Sequence, residues 1–135
     1  MTKKVNLLLV MILGISVMSF SQSVSIEFTA TKKATVNHVN SKYNVPLSQL
    51  PQSDLNIKFD GKKLSMIFTS GKNYWVTDII SYKIDENDDM FKIYIIKIKD
   101  GADIIEAKLS KGQKYSIELP TYVKGKLFSS DFFFE

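Results

Sequence analysis

Apolar and polar residues alternate along most of the chain after residue 22, with the period of two that is typical of β-strands with one buried face. The clearest segments are residues 24–30, 55–59, 64–68, 105–109 and 115–119. Valine, isoleucine, threonine and aromatic residues dominate them, and these side chains fit a pleated sheet better than a helix. The pattern therefore predicts an all-β protein.

Two longer apolar segments occupy the middle of the chain. In residues 74–84 the alternation places every second residue on one face of a strand, namely Tyr74, Val76, Asp78, Ile80, Tyr82 and Ile84. In residues 90–99 the apolar positions change face between Ile95 and Ile96. A change of this kind indicates a bulge or a strand that is buried on both sides.

Turn signals separate these segments. The Asp-Gly pairs at 60–61 and 100–101 are strong hairpin signals. We expect a single antiparallel meander of seven or eight strands that closes as a small barrel or a two-sheet sandwich, lipocalin-like or a curved sheet. Most strands span six or seven residues in this pattern, which favours a filled core over a deep cavity. Residues 31–53 are polar and interrupted by two prolines, so any helix should lie there.

The N-terminal segment resembles a bacterial export signal. Lys3 and Lys4 precede an apolar run over residues 7–17, and Ser19 and Ser21 provide the small residues of a cleavage site. We predict a cleaved signal peptide at 1–21, a single all-β domain at 22–135, and export to the periplasm or the cell exterior. The apolar stretch is shorter than the roughly 20 residues that a bilayer span needs, so no transmembrane span is expected in the mature form.

The amino-acid composition excludes several kinds of functional site. The chain has no cysteine and one histidine, which excludes disulfides, thiolate metal sites and cysteine nucleophiles. All 18 basic residues are lysines, and without the leader the net charge falls to +2. A nearly neutral chain without arginine lacks the bidentate groups that commonly read phosphate or guanine, so nucleic acid is not an expected partner.

The candidate ligand-binding residues lie in the long segment 74–84. Asp78 falls in the same alternating column as Tyr74 and Tyr82, and Trp75 lies beside that column. A carboxylate among apolar side chains could anchor a buried ligand. Alternatively, Asp78 faces solvent, either because the column does so or because a bulge moves it outward. Trp75 itself is expected to be largely buried.

Other possible sites have simpler interpretations. His38 has no sequence partner for catalysis, so we expect a surface or turn residue. Residues 85–89 are acidic but lack the glycine and distal glutamate of a calcium loop, which indicates a solvated hairpin tip. The three phenylalanines at 132–134 cannot all face one side of a strand, so at least one is exposed or contacts a partner.

These observations favour a small exported, non-enzymatic β-domain that acts as a protein or surface interaction module. Its partner would be a protein or another envelope component, and no cofactor, metal or catalytic residue is expected. The alternative is a lipocalin-like carrier of a small apolar ligand, although the Gly-x-Trp motif that lipocalins carry on the first strand is absent.

Overall fold

The structure is a computed structural model, and it describes residues 24–39, 42–51, 53–88 and 91–135. The predicted signal peptide at 1–21 lies outside these residues. The described part folds into strands without a helix, and hence without a helix that could cross a membrane. The ten strands are β1 (Ile26–Ala30), β2 (Lys32–Asn37), β3 (Lys42–Gln49), β4 (Leu55–Phe59), β5 (Lys63–Phe68), β6 (Asn73–Asp88), β7 (Phe91–Asp100), β8 (Asp103–Lys111), β9 (Tyr115–Val123) and β10 (Lys126–Phe134).

The strands form one antiparallel sheet in the order β1-β4-β5-β6-β7-β8-β9-β10-β2-β3, which curls into a half-barrel. The all-β class, the antiparallel pairing and the barrel-like curvature are confirmed, whereas the meander holds only for β4 to β10, because β1 pairs with β4 and β2 with β10. The strand number is higher than seven or eight because residues 31–53, where a helix was allowed, form β2 and β3 instead. Strands β6, β8 and β9 are also longer than the segments predicted for them, with β6 extending over 16 residues, whereas β7 has the expected ten.

A single residue, Thr31, joins β1 at one end of the strand order to β2 near the other end. β1 pairs with β4, whereas β2 pairs with β10. The Thr31 backbone N–H donates to the carbonyl oxygen of Phe134 at 2.8 Å. This connection brings the two ends of the sheet together and therefore requires the sheet to curl.

The core fills the concave side of the curled sheet. Its fully buried large side chains come from strands throughout the sheet and include Phe59, Leu64, Ile96, Leu109 and Phe133. Burial of apolar surface at about 25 cal/mol per Å² is the main force that holds such a sheet together. The interior is therefore occupied by the protein's own side chains, as expected from the alternating pattern.

A bulge in β6 changes which residues face the core. The pairing with β7 shifts between Ile79 and Ser81, so Ile80 is an extra residue. Trp75 pairs with the buried Met66 before the bulge, and Tyr82 pairs with the buried Ile96 after it. The single column from Tyr74 to Ile84 was therefore wrong, because the bulge reverses the alternation at Ile80.

The apolar run in β7 is a strand that is buried on both sides. Ile95 and Ile96 are both buried on opposite faces, while the pairing of β7 with β8 continues without a shift. Ile96 belongs to the core, and Ile95 lies on the outer face opposite Lys83 and Lys108. Of the two alternatives, burial on both sides is the correct one.

The Asp60-Gly61 turn closes the β4–β5 hairpin as predicted. One carboxylate oxygen of Asp60 accepts hydrogen bonds from the backbone N–H groups of Lys62 and Lys63 at 2.9 and 2.8 Å. These bonds lower the pKa of Asp60, because they stabilise the ionised form. Gly61 has φ of +85°, a conformation that glycine adopts without a side-chain clash.

Candidate functional site

The four residues expected to bind a ligand do not converge on one site. The Asp78 side chain is 87% exposed and forms an ion pair with Lys63 across 3.8 Å. It therefore faces solvent, which is the second of the two alternatives given for Asp78, and it is not a buried anchor. Tyr82 lies beyond the bulge, where its ring meets the edge of Phe59 at 5.3 Å between centroids.

Tyr74 and Trp75 lie together beside a shallow depression of about 300 Å³ that Asp100 also borders. Trp75 packs against the core with most of its surface buried, as expected, although it is not fully enclosed. Tyr74 is the extra residue of a second bulge, because Asn73 pairs with Ile67 and Trp75 with Met66. This bulge directs the Tyr74 ring toward a different and more enclosed feature.

That feature, the Tyr74 cleft, has a volume of about 310 Å³ and is bordered by Lys33, Leu50, Pro51, Phe68, Lys72, Asn73, Tyr74 and Phe133. The Tyr74 ring contacts Phe68 and Phe133 edge-on, with centroids 5.9 and 5.4 Å apart. Burial raises the pKa of the Tyr74 hydroxyl, and the negative charge of Asp131 raises it further. The cleft thus combines an aromatic floor with lysines at its border.

One of these lysines already has partners. The Lys33 ammonium lies 5.5 Å from the centroid of the Phe133 ring and 3.9 Å from a carboxylate oxygen of Asp131. Asp131 also accepts a hydrogen bond of 2.7 Å from the Thr35 hydroxyl. The Lys33 charge is therefore largely compensated within the cleft, whereas Lys72 is exposed at its border.

A larger and more apolar feature than the Tyr74 cleft, the Phe132 groove, lies on the opposite face of β10. It has a volume of about 580 Å³ and is lined by Ala34, Pro46, Leu47, Ser116, Phe132 and Phe134. The rings of Phe132 and Phe134 stack with centroids 6.3 Å apart and planes inclined by 14°. Volumes of 300–1,000 Å³ with a mainly apolar lining are typical of ligand-binding clefts.

The register of β10 explains how the groove forms. Phe132 pairs with Ala34 on one side and with Glu118 on the other, and directly paired residues point to the same face. The small Ala34 leaves space beside the ring, and the pairing of β2 with β3 shifts at this point. Leu47, which is 57% exposed, borders that space from β3.

The three phenylalanines at 132–134 do not all face one side, as expected, but none of them is fully exposed. Phe133 is buried in the core, whereas Phe132 and Phe134 are half-buried at the groove. The contribution of Pro46 and Leu47 was missed, because this part of the sequence was interpreted as an interruption between strands. The two prolines in the segment were its strongest local signal, and proline is compatible with an edge strand.

His38 has a partner that the sequence did not indicate. It lies in the turn after β2, where its Nε2 atom is 2.8 Å from the hydroxyl oxygen of Ser130. The Ser130 side chain is fully buried, so a substrate could not reach its hydroxyl in this conformation. Among the described residues, no carboxylate bonds to the imidazole to complete a catalytic triad. The pair orders the turn.

The acidic segment 85–89 is more strand-like than expected. β6 continues to Asp88 and pairs with β7 up to Phe91. Asp89 and Met90 lie outside the described residues, and so does the tip that they would form. Within the residues that the structure covers, no three acidic or histidine side chains cluster in a way that could hold a metal ion.

Comparisons with known proteins do not indicate a function, so the function is inferred from the geometry of the clefts. No protein-family model matches the chain, and no curated protein and no solved structure matches it either.

Proposed function

We propose that this protein is an exported, non-enzymatic binding module, and that the Phe132 groove holds an apolar side chain of an extended partner segment. The groove carries the proposal, because it exposes two stacked aromatic rings beside a buried alanine. A partner ring or aliphatic side chain that enters it would remove apolar surface from water, at about 25 cal/mol per Å².

The adjacent strand favours an extended partner. β3 stands at the end of the strand order, so one side of its backbone has no neighbour among the residues that the structure describes. Peptides often bind by pairing with such an edge while their side chains enter neighbouring pockets. Leu47 belongs both to this edge strand and to the groove. One short segment could therefore use the β3 backbone and the groove together.

Pro46 limits how such a segment can pair. It has no backbone N–H, and it stands in the middle of the edge strand. Proline in this position is a common protection against continuous pairing between sheets. We therefore expect a short partner segment at one side of Pro46, with most of the affinity provided by the side chain in the groove.

Site-specific photocrosslinking tests this function. A benzophenone side chain at position 47 should form a covalent adduct with one discrete partner in the native host, and the same group at Ile104 provides the control. Ile104 is 65% exposed on β8 and belongs to neither cleft. Loss of the adduct in Phe132→Ser/Phe134→Ser would support the groove. Equal labelling from positions 47 and 104 would contradict it.

The carrier of a small apolar ligand remains a second candidate, supported by the Tyr74 cleft. Its aromatic floor and the exposed Lys72 favour a small apolar molecule with a negatively charged group. Native mass spectrometry of the protein purified from its host should then retain a small-molecule mass, which Lys72→Gln/Tyr74→Phe should reduce. A protein without retained mass in either form would contradict the carrier.

A further inference from the structure

Apolar residues concentrate where two hairpin ends lie side by side, and we call residues 121–128 together with His38 and Val39 the paired tips. The β9–β10 hairpin ends in a two-residue turn at Lys124 and Gly125, which have φ of +50° and +76°. The backbone N–H of His38 donates to the carbonyl oxygen of Phe128 at 2.9 Å. This bond fixes the end of β2 against the hairpin.

All eight residues of the hairpin end, 121–128, are exposed. β8 pairs with β9 only from Glu118 toward the other end of the strand, so residues 119–123 have no partner on that side. The hairpin end therefore separates from β8, whose residues 103–107 continue toward the same end of the sheet and pair with β7. Its exposed apolar side chains and that of the adjoining tip are Val39, Tyr122, Val123, Leu127 and Phe128.

The apolar residues cover both faces of the hairpin. Tyr122 pairs with Leu127, and Val123 pairs with Lys126, so the two pairs point to opposite faces. A flat protein surface could cover one of these faces. A fluid bilayer interface can surround both of them, because the side chains can enter the apolar phase while the outward-facing backbone groups of the hairpin stay among the headgroups and water, where an open strand edge is tolerated.

The two segments that form the paired tips carry only positive charges, although the neighbouring β7–β8 turn contains Asp100 and Asp103. The sequence contains no aspartate or glutamate between residues 31 and 53 or between 119 and 130, whereas Lys124 and Lys126 flank the turn itself. Lysine side chains can bury their methylene groups in an apolar phase while the ammonium group reaches its polar boundary. Tyrosine also favours such boundaries, because its ring is apolar and its hydroxyl is polar.

From these features we infer that the paired tips insert into the surface of an anionic phospholipid bilayer. Leu127, Phe128 and Val39 would enter the outer acyl region, and Lys124 and Lys126 would contact the lipid phosphates. Amphipathic helices that lie in the interface bury their apolar face about 5–10 Å into the boundary between headgroups and acyl chains, and the side chains of a hairpin end can reach a similar depth. The inference is independent of the Phe132 groove, which uses different residues.

Vesicle co-sedimentation with the complete chain, recovered in its processed form and with its N-terminus checked by intact mass, tests the inference. We expect binding to vesicles with 30% phosphatidylglycerol and much weaker binding to pure phosphatidylcholine. A basic residue near an anionic surface contributes roughly fivefold in affinity, so Lys124→Gln/Lys126→Gln should weaken binding by about 30-fold. Higher salt should weaken it as well.

Matched variants distinguish insertion of the paired tips from nonspecific adsorption of the protein to vesicles. Leu127→Asn/Phe128→Asn should abolish most binding, whereas Ile104→Asn removes a more exposed apolar side chain that lies outside the paired tips, and it should not. Lys97→Gln/Lys108→Gln removes two exposed charges of the sheet and should change affinity less than the tip pair. Equal binding to both vesicle types would overturn the inference. Loss of binding in the control variants, or binding by the tips only to another protein, would overturn it too.

Discussion

Phe133 and Phe132 are consecutive residues of β10 that lie on opposite faces of the sheet. Phe133 is 1% exposed and packs in the core, whereas Phe132 stacks on Phe134 in the outer groove. The two rings have the same chemistry and differ in what surrounds them. They therefore provide a matched pair for separating stability from binding.

We expect Phe133→Ala to lower the free energy of unfolding by about 3–5 kcal/mol, because it leaves a cavity in a packed core. Phe132→Ala should cost about 1 kcal/mol, mainly from the lost stacking with Phe134. Urea denaturation followed by circular dichroism measures both values. Equal losses in the two variants would show that the groove is as important for stability as the core.

The lowered pKa of Asp60 predicts that the free energy of unfolding decreases at acidic pH. A carboxyl group with a lower pKa in the folded state stabilises the protein above its unfolded pKa and loses that contribution as the pH falls through the folded value. The ordinary value is 3.8, so the loss should occur below about pH 4. Asp60→Asn, which keeps a side-chain acceptor, should reduce this acid dependence in pH-dependent unfolding experiments. An unchanged profile would contradict the role of Asp60.

The raised pKa of Tyr74 makes the opposite prediction at high pH. Its neutral form is favoured in the folded state, so its contribution to stability is complete below the unfolded pKa near 10 and disappears as the pH rises through the folded value. The difference in tyrosinate absorbance between wild type and Tyr74→Phe should show this late titration. Asp131→Asn should move it to lower pH, because it removes the neighbouring negative charge.

Trp75 should behave as a half-buried residue. Trp75→Ala is expected to cost about 2–4 kcal/mol, less than the truncation of a fully enclosed ring, because part of its surface is already in water. Acrylamide should quench its fluorescence to a degree between those of free tryptophan and an enclosed indole. Complete protection would place Trp75 in the core, and full quenching would remove it from the packing against the core.

The sequence predicted the strands whose pairing is local and missed those whose pairing is distant. The β4–β5 and β7–β8 hairpins were predicted from alternation and from the Asp-Gly turns. Both signals depend only on residues that are close together in the sequence. β2 pairs with β10, and that partner lies far along the chain. Nothing near residues 32–37 indicates it. The Phe132 groove was not predicted for the same reason, because it forms only when Leu47 and Phe132, which are far apart in the sequence, lie side by side.

The bulges in β6 limited the prediction of the candidate site in another way. An extra residue at Ile80 reverses the side on which later residues point, yet Ile80 fits the alternating pattern as well as its neighbours do. The position of the bulge depends on how β6 meets two partners, β5 and β7. Asp78 and Tyr82 therefore appeared to share a face that the folded strand divides.

The junction at Thr31 also has a consequence for how the chain folds. The hydrogen bond from Thr35 to Asp131 joins residues 96 positions apart, and the other bonds between β2 and β10 have a similar separation. During synthesis, β2 and β3 leave the ribosome long before β10, so β2 lacks one neighbour until the last strand has been made. Contacts between such distant residues slow folding and leave strand edges open to aggregation. Closure of the sheet is therefore a late step, and a chain that is shortened within β10 should aggregate before it folds.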